Sequence, residues 1–332
     1  MRFCTLFMVI TFQITPLFGQ RFPDRWFTIN PLMHQLEANE NTGWSWMHSN
    51  AGWGEFGGYR IIRDHEHAWI QRLGGYIELF RISETTSLAF LGSIEFIANA
   101  DNDIRFNPRA IFWEEGFLFT QKTGRRLPTG LSTSTSRVVD QRVVDDSLSG
   151  SYWQIGYMHR CKHDIDNLSL GRERSLMFGS LMGKYILPFA LANTSTIGLL
   201  ALRADLYTIR QDDRNPSVFS SYLPQVKSML ATLGGALHLR TSLPVKPFGL
   251  YVTTWSALNF YGDKQEIFLK LDRVRSILFQ GGIGGGIAVE GRAHLRLGIS
   301  YEYLSDTGIN PFPEHANLIT ISITMIPPTS IW

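Results

Sequence analysis

The chain predicts an all-β fold: a transmembrane, antiparallel up-and-down β-barrel of about twelve strands. Three observations carry this reading. Ala293 to Tyr303 (AHLRLGISYEY) is apolar or aromatic at every odd position and mostly polar between, which gives one greasy and one wet strand face. The same rhythm recurs from about Trp53 to Ile326. The gaps between alternating segments are short after every second strand and long and polar after the others, the outer-membrane arrangement with long loops extracellular.

The first nineteen residues read as a signal peptide: Arg2 is basic, Phe3 to Phe18 is largely apolar, and Leu17-Phe18-Gly19 offers a small residue for cleavage. Cys4 lies in this segment, so cleavage leaves Cys161 alone and no intrachain disulfide is expected. Residues 20–51 lack sustained alternation and are expected to form a periplasmic lead-in. The barrel is expected over 52–332.

Within the barrel the expected strands are 52–63, 68–82, 87–98, 109–121, 151–163 and 175–190, then 196–211, 225–241, 248–261, 274–290, 293–303 and 317–326. In 87–98, Leu88, Phe90, Ile94 and Phe96 share the apolar face. In 109–121 that face holds Ile111, Trp113, Phe117 and Phe119. Residues 225–241 put Met229, Ala231, Leu233, Leu237 and Leu239 opposite Ser228, Thr232, His238 and Arg240. Short turns fall at 83–86, 191–195, 242–247 and 291–292, and the glycine run 281–286 suits a curved sheet. Two features resist the scheme: 124–151 is too long for a periplasmic turn, and the loop near Asp64 is too short for an extracellular one.

Composition bounds the functions. With 31 basic and 29 acidic residues, no attraction to nucleic acid is implied. The 9 Trp, 11 Tyr and 22 Phe suit membrane-interface girdles. The expected location is the bacterial outer membrane. The expected partners are its lipid and lipopolysaccharide, together with the outer-membrane assembly machinery. The closing Trp332 is the kind of aromatic terminus that machinery reads, although Pro327-Pro328 breaks the strand before it. No cofactor and no metal are expected.

The densest constellation of reactive side chains runs from Tyr157 to Asn167 (YMHRCKHDIDN). His159, Cys161 and His163 alternate and so share one strand face with Trp153, Ile155 and Tyr157. Catalysis is one reading: a base and a nucleophile two apart on one strand, with an acid returning on the next. Metal binding by His159, Cys161, His163 and Asp164 or Asp166 is another, weakened because alternate residues on a flat strand wrap an ion poorly. The third is a set of polar residues at the water interface, Arg160 and Lys162 facing lipopolysaccharide phosphates or the lumen. The polar faces of other strands give an expected lumen lining of Arg203, Asp205, His238, Arg240, Glu290, His294, Arg296 and Glu302. Such a lining makes either a narrow pore or a salt-bridged plug.

The hairpin from His159 resembles the outer-membrane phospholipases and lipid A deacylases, barrels that carry a His-x-Ser pair on the outer-leaflet side. That resemblance implies His159 as base, Cys161 (or Ser175) as nucleophile and Glu173 as the acid that orients the imidazole. Cys161 departs from the serine of those enzymes. A second resemblance rests on Asn30-Pro31-Leu32, Leu36-Glu37-Ala38-Asn39, Phe106-Asn107-Pro108 and Gly156 to Asp164. It is to a family of uncharacterised bacterial outer-membrane barrels with a central His-x-Ser-x-His-like motif, and it implies location and fold without an activity. The leading expectation is a non-enzymatic envelope barrel, either a small pore or a structural and surface-binding protein. The alternative is a lipid acyl hydrolase centred on His159.

Overall fold

A computed structural model describes residues 45–46, 50–61, 67–83, 85–99, 108–123, 150–164, 175–191, 196–212, 229–262, 274, 276–289, 294–304 and 316–326. Thirteen strands run in chain order. They are β1 (Ser45–Trp46), β2 (Asn50–Ile61), β3 (His67–Ser83), β4 (Thr86–Asn99), β5 (Pro108–Thr123), β6 (Ser151–Asp164) and β7 (Ser175–Ala190). Then follow β8 (Thr196–Asp212), β9 (Met229–Ser242), β10 (Phe248–Tyr261), β11 (Ser276–Val289), β12 (His294–Leu304) and β13 (Ala316–Ile326). Every neighbour from β2 to β13 pairs antiparallel with the next, and β13 pairs back onto β2, with Thr324 opposite Glu55. Twelve strands therefore close on themselves and no long edge remains.

β1 is the thirteenth strand. Ser45 and Trp46 pair with Arg81 and Phe80 of β3, while β2 begins beside Ile77 of the same strand. β1 thus extends the line of β2, and the expected lead-in over 20–51 gives up Ser45–Trp46 and Asn50-Ala51 to the sheet. A two-residue strand cannot display alternation, so periodicity has nothing to register there.

The twelve expected strands correspond to β2–β13, with shifts of register at bulges in β3, β5, β8 and β9. β9 starts at Met229, and residues 225–228 lie outside the described residues. Met229 opposes Tyr261 and Ala231 opposes Phe260, so Leu230 is an inserted residue. The bulge reverses the side on which its neighbours point. Met229 turns into the lumen against Phe178, Tyr207 and Tyr261, while Leu233 keeps its outward place. Strict alternation had put Met229 with Leu233.

Two faces follow from the period of two. Outward stand Leu295, Leu297 and Ile299 on β12 and Ile319, Ile321, Ile323 and Met325 on β13, each between 40% and 58% exposed. The outward faces of β10 and β11 carry Leu250, Val252 and Leu258, then Ile277, Phe279, Ile283 and Ile287. In water such a continuous apolar surface would be an aggregation hazard; in a bilayer it is the lipid contact. Aromatic pairs mark its two ends. Trp153 and Tyr185 lie 4.6 Å apart toward the short-turn end, and Phe279 stacks on Tyr303 at 6.4 Å toward the other. From Trp153 to Cys161 along β6, at about 3.3 Å per residue and about 40° of tilt, the rise is about 20 Å, a membrane-scale distance. This is a transmembrane β-barrel of the outer-membrane type. Among the described residues no helix is long and apolar enough to cross a membrane.

Inward, the barrel is filled. Each of its twelve strands contributes a buried side chain: Glu55, Arg72, Glu95, Glu114, Arg160, Lys184, Asp205, His238, Tyr251, Ala288, Arg296 and Thr320. An apolar layer of Ala89, Leu91, Leu118, Met158 and Met182 packs inside β4–β7. A second cluster, Phe178, Tyr207, Met229 and Tyr261, lies nearer the long-connection end.

Candidate functional site

The interior charges are organised into pairs that only the strand order reveals. Arg160 on β6 donates from Nε to Glu114 Oε2 at 2.9 Å, from Nη2 to Asp205 Oδ1 at 3.0 Å and from Nη1 to the Tyr207 hydroxyl at 2.9 Å. Arg203 on β8 bonds the same two carboxylates, Glu114 Oε1 at 3.1 Å and Asp205 Oδ2 at 2.8 Å. Two cations and two anions on β5, β6 and β8 therefore bond one another, and Ser180 Oγ on β7 donates a further bond to Asp205 at 3.2 Å. All four charged residues are at most 7% exposed, so each depends on its partners for the solvation it gave up.

A second group joins β2, β3 and β4. Arg72 donates to Glu55 at 2.8 Å and to Glu95 at 3.2 Å, and near the β3–β4 turn Arg81 holds Glu78 with two bonds, at 2.7 and 3.1 Å. Glu55, Glu78, Glu95 and Glu114 are absent from the expected lining, and Arg160 takes the lumen side of the two expected for it. Their signal was available: each is a charge on the inward parity of its strand.

A third group is built on glycine. On β11, Gly282, Gly284 and Gly286 take inward positions and leave that wall bare. Tyr251 of β10 lies across it and its hydroxyl reaches Gly298 on β12, where a Cβ would collide with it. The Arg296 guanidinium sits 5.0 Å from the centre of the Tyr251 ring. Arg296 Nη2 lies 3.4 Å from His238 Nε2, and His238 Nδ1 lies 2.6 Å from Thr253 Oγ1. An arginine can only donate, so Nε2 accepts and the imidazole proton sits on Nδ1, donated to Thr253.

Of the expected lumen residues, Arg203, Asp205, His238, Arg296 and Glu302 are buried inside the barrel and Arg240 is half-buried on the inward face of β9. His294 opens β12, and Glu290 lies outside the described residues.

The expected catalytic group sits on the opposite surface. Tyr157, His159 and Cys161 all take the outward parity of β6. His159 is half-buried; Cys161, between Trp113 on β5 and Met177 on β7, is only 1% exposed. Glu173 lies outside the described residues; Ser175 opens β7 opposite His163. The acid the structure does bring to His159 is Glu115, directly across the ladder on β5, outward and exposed. Sequence reasoning passed over it, although a carboxylate between Trp113 and Phe117 on the lipid-facing parity breaks the pattern of that strand. No group of three or more metal-ligating side chains converges among the described residues.

Beside the pair, the Tyr157 ring covers Gly179 on β7 and its hydroxyl lies 3.4 Å from Thr208 Oγ1, which donates to the Gly179 carbonyl at 3.3 Å. Gly179 opposes Ile209 and Ser180 opposes Tyr207, so Thr208 is the inserted residue of a bulge. Thr208 keeps the outward parity of Leu202 and Leu206, and the bulge brings Ile209, 53% exposed, to the same lipid-facing side.

No family model matches the chain, and no curated protein is similar to it in sequence. Among solved structures it is similar to outer membrane phospholipase A from Escherichia coli, with 12% identity, a TM-score of 0.44 and coverage of 91% of this chain and 98% of that one. The calcium-bound dimer of the Salmonella typhi outer membrane phospholipase gives 12%, 0.46, 91% and 98%. The transport unit of the autotransporter AIDA-I from Escherichia coli gives 13%, 0.38, 88% and 92%. Likeness at this level carries nothing about activity; the fold rests on the closed ladder itself.

Proposed function

We propose that this chain is a closed outer-membrane barrel that acts through its surface and not through its lumen: a non-enzymatic structural or surface-binding protein of the envelope. One observation supports the reading above others. Every strand of the barrel places a buried side chain inward, and among them the charges of Glu55, Arg72, Glu95, Glu114, Arg160, Arg203 and Asp205 are held in mutual pairs. An aqueous pore needs charges that water can reach, as rings along a path; here Arg72, Glu95 and Arg160 are at most 3% exposed. The filled interior also gives the lipid-facing wall a rigid backing.

Solute entry tests this. Liposomes carrying the purified protein should admit a small sugar no faster than protein-free liposomes. Protein-dependent swelling would overturn the closed-lumen reading.

A second reading has its own support. His159 faces outward about 15 Å above the Trp153 level, six residue steps along β6 at about 3.3 Å each and about 40° of tilt. Glu115 lies opposite His159, and Cys161 is the next residue on that face. A lipid acyl hydrolase would use such a base at the outer leaflet. In that case the purified protein releases fatty acid from phospholipid or lipopolysaccharide in detergent, and His159→Ala lowers the rate at least about a hundredfold. Release that persists unchanged in the variant would rule the assignment out.

A further inference from the structure

We infer that two copies of this barrel associate side by side in the membrane through the row that contains Glu115 and His159. One hydrogen-bonded row of the sheet reads, from β2 to β7, Gly52, Gly75, Gly92, Glu115, His159 and Gly179. Elsewhere the outward face of the described strands is dominated by large apolar side chains; in this row Gly52, Gly75 and Gly92 adjoin the Glu115 side of the only such carboxylate-imidazole pair among the described residues, and the Tyr157 ring roofs Gly179 on the His159 side. A Cβ at Gly92 would have one neighbour, Phe90 at 3.8 Å, so the floor of the trough is open.

The chemistry selects the occupant. A carboxylate and an imidazole inside an apolar belt are costly unless something pairs with them, and intramembrane ionisable groups mark partners for that reason. Among the described residues neither side chain is held by a hydrogen bond or an ion pair, so both are open to an external group.

A second copy supplies the complement without any further residue. Rotation by a half-turn about the membrane normal reverses left and right and keeps depth. Glu115 of one barrel then faces His159 of the other, and the reverse contact forms by the same operation. This is the self-complementarity a two-fold interface requires. Glycine rows let two sheets approach closely, as small residues do between membrane helices. Phe117 (53% exposed) and Leu181 (51%), one pleat away, then meet an apolar surface in place of lipid.

The test is association state, by sedimentation in detergent and by counting photobleaching steps of labelled protein in bilayers. The wild type should be dimeric. Glu115→Leu and His159→Leu should each weaken association by about tenfold or more. The exchange Glu115→His with His159→Glu preserves the complementary pair and should restore it. Gly92→Leu fills the trough while leaving both charges in place, and should also weaken the dimer. Heat-modifiable gel mobility verifies that each variant folds. A monomeric wild type, single variants that dimerise normally, or a double exchange that stays monomeric would each overturn the inference.

Discussion

Arg160→Ala is expected to destabilise the barrel by about 3–5 kcal/mol, because it leaves buried carboxylates without their counter-charge. Arg160 is 3% exposed and bonds Glu114, Asp205 and Tyr207 at once. In the variant Arg203 remains on both carboxylates, so two anions share one cation in a cavity that water does not reach. The cost is that of an uncompensated charge and exceeds the net worth of the pairs themselves. Replacing both Arg160 and Glu114 by apolar residues of similar volume should therefore cost less than Arg160→Ala alone. Urea unfolding of protein refolded into vesicles measures both. Equal stability of Arg160→Ala and wild type would show that the network bears no weight.

Ile321→Arg is the second large effect, about 2–4 kcal/mol of lost stability in a bilayer if the residue lies at the midplane. Ile321 is 58% exposed, pairs with Ile299, also 58% exposed, and lies midway along β13. At that depth a guanidinium has no water and no carboxylate within the ladder, and snorkelling recovers only part of the cost. The neighbouring position Thr320, inward and buried, answers to different chemistry: Thr320→Val removes a hydroxyl and leaves the lipid contact untouched. A large loss at 321 measured in vesicles establishes which face meets lipid. Tolerance of arginine there would place that face in water.

The outer surface was legible residue by residue because lipid imposes one rule on every second position. Leu295, Leu297 and Ile299 obey it, and so do Ile319, Ile321 and Ile323. The departures were legible only in part. Leu230 and Thr208 are inserted residues, and an insertion changes the phase of a strand without leaving a mark in composition. The interior pairs were hidden for another reason. Arg203 and Glu114 lie 89 residues apart in sequence, and nothing in either strand states that β5 and β8 will face each other across a lumen. The polarity of the lining could be read from the sequence; its pairing could not. His159 and Cys161 were identified by their shared parity, and both do face outward, yet Glu115, which stands against His159, belongs to the preceding strand.

The network and the lipid-facing pair have separate consequences. The first concerns whether anything passes through the barrel; the second concerns what the barrel meets beside it. Losing the dimer would leave the lumen closed, and a conducting lumen would leave the Glu115–His159 row where it is.

Planar-bilayer recording of the purified wild-type protein tests the closed lumen most directly. With all twelve strands contributing buried inward side chains, the expected record is a baseline with no discrete conductance steps at protein loads where an open porin gives many. Reproducible steps of one size, present with the folded protein and absent after heat denaturation, would contradict it.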